Sequence, residues 1–170
     1  MARNLFLRAV FAFNLNVQPT DGAWVNSQIL EKTRRLNMSA DMKKFIEVAA
    51  KKWFTLAWKD KIAGSFTNSS SFSGDKLNTL IGLVINAMQH GMIYVGRGML
   101  PSANRPEDFQ QIAGPSPEAL NRLGSFTGPM SASFQVAPPA APVPGDIQTA
   151  ELYGKRGAEI TERWVKAKLI

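Results

Sequence analysis

The sequence predicts an α/β fold, an open parallel sheet with helices on both faces, and three observations point to it. Between residues 62 and 96, an apolar run, a polar loop, an amphipathic stretch and a second apolar run follow one another. That order describes a strand–helix–strand unit, which needs parallel strands and a right-handed crossover. Apolar residues recur at helical spacing on either side of the unit, from Ser39 to Trp53 and again over 146–168. A length of 170 residues with 45% hydrophobic content, including ten Phe and four Trp, suits one domain with a true core.

The apolar stretch Leu5 to Phe13 reads as a strand, and Gln18-Pro19-Thr20-Asp21-Gly22 as a turn. Met42, Phe45, Ile46, Ala49 and Trp53 fall on one helical face, with Ser39 as N-cap and Asp41 matched to the helix dipole. Ile62 to Phe66 is a short buried strand that runs into the loop Thr67-Asn68-Ser69-Ser70-Ser71-Phe72-Ser73-Gly74. Leu77, Leu80, Ile81, Val84 and Met88 mark the next helix, closed by Gly91, and Met92 to Gly96 the next strand. Residues 97–146 are loop-rich, and the proline-rich stretch 137–144 is expected to be extended and exposed. The last helix is expected to bury Ile147, Ala150, Leu152, Ala158, Ile160, Trp164 and Leu169.

Composition excludes several function classes. The chain has no cysteine, which removes disulfides, thiolate chemistry and cysteine-ligated metals. No apolar run reaches the roughly 18 residues of a membrane-spanning helix, and Arg8 interrupts the N-terminal apolar stretch, so a strand is expected there rather than a signal peptide. A cytoplasmic location is the expectation. The net charge of +7 is spread over Lys32, Arg34, Arg35, Lys43, Lys44, Lys51 and others instead of forming one block. Such scattered cations look like solvated faces, and nucleic acid is not the expected partner.

Ligands of open α/β sheets sit where strands deliver their carboxyl ends into loops, and the loop beginning at Thr67 is at such a point. Its hydroxyls, the Asn68 amide and its backbone N–H groups offer hydrogen bonds to a ring carbonyl or a polyol. Taken alone, a serine-rich loop after a strand is more often plain surface. Trp53 is equally readable as a core residue, and His90 as a helix-capping group. Asp75 fits the start of a helix better than catalysis.

Four blocks, Lys52 to Lys61, Phe66 to Ser69, Gly74 to Leu80 and Gln89 to Met92, form a continuous match to a known family. With Asn121 to Ser125 and the helix from Thr149 to Arg156, they resemble the tryptophan-repressor-binding-protein branch of the flavodoxin-like NAD(P)H:quinone oxidoreductases. The resemblance covers roughly 39–170 and implies a flavodoxin-like three-layer sheet, FMN as cofactor and NAD(P)H as electron donor. It also implies a quinone acceptor and a homo-oligomer, a tetramer or dimer with flavin pockets near subunit boundaries. By that resemblance Thr67, Asn68, Ser69, Ser70, Ser71 and Phe72 wrap the flavin ring, His90 contacts it, and Trp53 lines the pocket where nicotinamide or quinone stacks. The chemistry is the cofactor's, so neither a catalytic acid or base nor a metal is implied.

The N-terminal part departs from that family and is truncated or rearranged. Where the family has a hydroxyl-rich loop that holds the FMN phosphate, this chain has Asn14-Leu15-Asn16-Val17-Gln18-Pro19. Where it has a second flavin loop, this chain has Thr33-Arg34-Arg35-Leu36-Asn37-Met38. Two readings are therefore open: an FMN-dependent oxidoreductase, or a degenerate member that no longer binds FMN and acts through structure and interaction. The expected organisation is a single domain over 1–170, comprising an atypical segment 1–38, an α/β part 39–136, a proline-rich loop 137–145 and a terminal helix 146–170.

Overall fold

In the computed structural model, the described residues are 9–14 (as backbone), 38–104, 106–110 and 115–167. The turn expected at Gln18 to Gly22 and the segment from Thr33 to Asn37 lie outside them. The sheet is built around β2 (Ile62–Ser69), with β1 (Ala9–Asn14), β3 (Ile93–Tyr94) and β4 (Met130–Ala132) all parallel to it. β1 lies along one edge of β2, from Ala9 opposite Ile62 to Asn14 opposite Thr67. Thr67 also pairs with Met130, so β4 takes the other edge, which β3 occupies further back beside Ile62 and Ala63. β3 and β4 thus share one side of β2 end to end.

Helices cover both faces, as a three-layer fold requires. α2 (Lys76–Gln89) packs on the face presented by Ala63, where Ala87 and Met92 meet it beside Trp58 and Tyr94. α3 (Pro144–Ala167) packs on the opposite face, where Tyr153 joins Ile62 and Val95. Successive strand residues point to opposite faces, so the neighbours Ile62 and Ala63 serve different helices. Ser65, on the α2 face, shares a 2.5 Å hydrogen bond with the Tyr94 hydroxyl. Tyr153 donates from its hydroxyl to the Val95 carbonyl at 2.6 Å, directly over Gly64, where a Cβ would meet the ring.

The helices bury different residues from those their most apolar stripes indicated. α2 buries Lys76, Thr79, Leu80, Leu83 and Ala87, and leaves Leu77, Ile81, Ile85 and Met88 exposed. α3 buries Thr149, Tyr153, Gly157 and Thr161, while Ile147 is exposed and Trp164 largely so. Its polar stripe is tolerated because the hydroxyls are paired: Thr149 Oγ1 accepts from the Asn121 amide at 2.9 Å and Thr161 donates to the Gly157 carbonyl at 2.7 Å. α1 (Ala40–Phe54) is capped by Ser39, whose hydroxyl accepts from the Met42 amide at 3.2 Å. It buries Met42 and Ala49 only, and Phe45 and Val48 face solvent. The stretch 137–144 does not run extended: it turns, with cis bonds before Pro139 and Pro142, and Ala141 is buried.

Candidate functional site

β2 continues three residues beyond the expected strand end. Thr67, Asn68 and Ser69 are ladder residues, paired with Met130, Ser131 and Ala132 of β4. The expected loop therefore begins at Ser70, at the carboxyl end of the sheet where open α/β folds place ligands. Thr67 is buried, and Asn68, 7% exposed, is turned inward. Its Nδ2 donates to Ser133 Oγ at 3.1 Å, and its Oδ1 accepts from Ser131 Oγ at 2.8 Å. Asn68 thus ties β2 to the chain around β4 with both ends of its amide.

The turn from Ser70 to Asp75 is folded over a lysine. Lys76 opens α2 and is 1% exposed, with Nζ donating to Ser69 Oγ at 2.8 Å and to the Ser71 carbonyl at 2.6 Å. Ser69 Oγ donates in turn to that same carbonyl at 2.9 Å. Gly74 and Asp75 both have positive φ, +52° and +50°. A side chain at Gly74 is excluded twice, by its left-handed backbone and by overlap with the Ser69 hydroxyl. Ser70, Ser71 and Phe72 are exposed on the outer side of the turn.

Beside the turn runs a groove of about 1280 Å³. Phe72, Leu77, Ile81, Leu123, Phe126 and Met130 give it apolar walls, and Lys76 and Arg122 line it as well. The Phe72 ring packs edge-on against Phe134, centroids 4.9 Å apart, and the Arg122 guanidinium lies 5.5 Å from its centre. Arg122 is also ion-paired with Asp146 at 2.8 Å, both side chains nearly buried, and the Ala132 amide donates to the same carboxylate at 3.1 Å.

The charges here are unequal. Asp146 supports the charge on Lys76 and Arg97 and is paired with Arg122, so one carboxylate serves three cations. Burial pushes Lys76 down to about 8, partly offset by Asp146 and reinforced by Arg122. Burial likewise pulls Arg97 down to about 10, against Asp146 and Tyr153. Arg97 is held by the Asn121 side chain and by the Ser125 carbonyl at 3.1 Å, which fixes the 121–125 turn along the groove. Sequence reasoning missed Lys76, Arg97, Arg122 and Asp146, treating charge as solvated surface.

Trp53 and His90 are not brought to the groove. Both sit at the end of the sheet where β2 begins. Trp53 is the penultimate residue of α1, ahead of the Thr55–Asp60 turn, 45% exposed, its ring tilted against Phe54 at 4.8 Å. His90 caps α2, 2% exposed, with its ring 4.6 Å from that of Trp58; burial lowers its basicity, and its Nδ1 has no hydrogen-bond partner. The groove turn is at the opposite end of α2, a helix length of about 20 Å away.

No family model matches the sequence. Individual proteins do. The chain is 36% identical to flavodoxin FldP of Pseudomonas aeruginosa, over 71% of its own length and 61% of that protein's. It is 31% identical to an NAD(P)H dehydrogenase (quinone) of Archaeoglobus fulgidus, over 74% of this chain and 53% of the relative. It is also similar to the crystal structure of a flavodoxin, a WrbA-like protein from Agrobacterium tumefaciens. That likeness has a TM-score of 0.51 at 35% identity and covers 74% of this chain and 59% of the other. These similarities support a flavodoxin-like, WrbA-type family for this chain. The chain spans between about half and six tenths of these relatives' lengths. Its parallel sheet with a helix layer on each face is the flavodoxin-like fold expected from the sequence.

Proposed function

We propose that the groove beside the 70–75 turn receives the ring system of FMN, and that assembled copies of the chain carry out NAD(P)H:quinone oxidoreduction. The observation that carries this reading is the combination found at the carboxyl end of β2. Apolar walls, a hydrogen-bonding turn and the cations Lys76 and Arg122 meet in one groove, which Asp75 also lines. That combination fits a flat ring with a carbonyl-rich edge. Because Asn68 and Ser69 are spent on internal bonds, the ligand-facing donors are the backbone N–H groups of the turn with the Ser70 and Ser71 hydroxyls. Phe72 supplies a flat neighbour at the mouth, and Thr67 and Asn68 hold the strand end that aims the turn.

FMN, when bound, supplies the two-electron chemistry, taking hydride from NAD(P)H and passing electrons to a quinone. The chain's part is to orient, to exclude water and to keep cations near the ring's polar edge. Trp53 and His90 belong to the far end of the sheet, so in this reading they serve the groove of another copy. The exposed stripe Leu77, Ile81, Ile85 and Met88 supports such an assembly, since a helix apolar on both faces is one that packs on both.

The test is titration of the full chain with FMN followed by flavin fluorescence, alongside sedimentation. Saturable quenching, with quinone-dependent NAD(P)H oxidation by the loaded oligomer, is the expected result. An oligomer that quenches no flavin would instead support the degenerate, structural member. One observation favours that second reading: β1 ends at Asn14, level with Thr67, and the residues that follow lack the phosphate-holding composition of the family.

A further inference from the structure

We infer that Lys76 is the positioning residue of the groove, holding the 70–75 turn in its ligand-receiving shape through Ser69 and Ser71. Two features make an ordinary structural role a poor account of this lysine. It is almost fully buried, although lysine is among the residues least often found so. It also occupies the first position of α2, where the helix dipole disfavours a cation. Neither the helix nor the core gains from an ammonium at this point.

What the ammonium does is visible in its contacts. It bridges the last residue of β2 and the middle of the turn, meeting Ser69 Oγ and the Ser71 carbonyl. The bridge closes the chain back on itself over only five residues, from Ser71 to Lys76, with Gly74 and Asp75 in left-handed backbone to allow it. Asp146 and Arg122 are the charged groups facing Lys76, and Asp146 keeps it cationic despite burial. The helix start adds little to this: Asp75 stands at the N-cap without a side-chain capping bond, and the Lys76 amide reaches only the Ser73 carbonyl, at 3.2 Å. Without Lys76, Ser69 Oγ and the Ser71 carbonyl keep only their mutual bond, and Gly74 frees the backbone to open.

The inference rests on the flavin reading only for the identity of the ligand. Its test uses the full chain without ligand: hydrogen–deuterium exchange of Lys76→Met and Ser69→Ala against the unchanged protein. Lys76→Met should exchange the amides of 70–75 about tenfold faster, as expected for losing bonds to a charged group, while α3 exchanges as before. Its melting temperature should not fall, because an apolar side chain of similar length suits a buried site. Ser69→Ala, which keeps the lysine, should speed the same amides to a smaller degree. Unchanged exchange over 70–75 in Lys76→Met overturns the inference. If that variant does not fold, unchanged exchange in Ser69→Ala overturns it instead. A parallel FMN titration separates the two proposals. Where the unchanged chain binds FMN and Lys76→Met binds it equally well, the positioning role fails and the flavin reading stands. Where the unchanged chain binds none, the flavin reading fails and exchange alone decides the role of Lys76.

Discussion

Arg122 grips Asp146 with a two-pronged ion pair, Nε to Oδ1 and Nη2 to Oδ2, each at 2.8 Å. Asp146 lies in the first turn of α3, and Arg122 in the turn along the groove, so the pair locks the helix start to the groove wall. The Ala132 amide adds β4 to the same carboxylate.

Breaking this pair from one side should be expensive. Asp146→Asn removes the charge that Arg122, Arg97 and Lys76 share and leaves three cations with little compensation. Loss of one partner of a buried pair typically costs about 3–5 kcal/mol. Urea unfolding of Asp146→Asn should show a loss of that order. A change under about 1 kcal/mol would mean the pair behaves as a surface contact.

Stability should rise with pH in the alkaline range and then fall. Lys76 titrates at about 8 when folded, below its ordinary 10.5, so between those values the unfolded chain holds the extra proton. Raising pH through that window therefore favours the folded state. Burial raises Tyr94 and Tyr153 above their ordinary 10, so above pH ~10 the unfolded chain ionises first at both, and their combined effect lowers stability against the opposite contribution of Arg97. Melting temperatures taken from pH 7 to 11 should trace this maximum, and Lys76→Met should lack the rise between 8 and 10.

Asn68→Ala should destabilise the chain whether or not flavin binds. It removes the bonds to Ser133 and Ser131 that tie β2 to β4, at a typical cost of about 1–3 kcal/mol. Lys59→Ala, on an exposed turn, should change stability little. Equal effects of the two in chemical denaturation would place Asn68 outside the sheet's cross-links.

Riboflavin and FMN should bind with nearly the same affinity. The family's phosphate loop has no counterpart in the sequence after β1, so the phosphate adds little, whereas each charge-assisted bond to it would add about 1.5–3 kcal/mol. Calorimetric titration with each ligand measures the difference. A hundredfold preference for FMN would point to Arg34 and Arg35 as a replacement cradle.

Local order made much of this fold legible. The 62–96 unit, the Ser39 cap and the polar strand end follow from composition and spacing that neighbouring residues enforce. The end of β2 was misplaced because its partner is remote: Met130 to Ala132 is three residues in a proline-rich region, with no alternation to betray a strand. Helix faces were misjudged where apolarity exceeds need. α2 is apolar on two sides, and only the sheet decides which is covered, so Leu83 and Ala87 are buried and Leu77 is not. The groove's cations were invisible for a related reason. Lys76 carries no local sign that its ammonium will fold back under the turn onto Ser69 and Ser71.

Burial of Lys76 also sets its reactivity towards acylating reagents. With a basicity near 8 it is the most nucleophilic kind of lysine at neutral pH, yet its 1% exposure denies a reagent access. Lys43, Lys44, Lys51 and Lys52, spread along exposed α1, present the reverse case, open to reagent. A brief treatment with an amine-selective label should modify the α1 lysines first and leave Lys76 untouched. Once the 70–75 turn opens, the amine meets water, regains ordinary lysine basicity and reacts as the α1 lysines do, so its labelling reports the open turn.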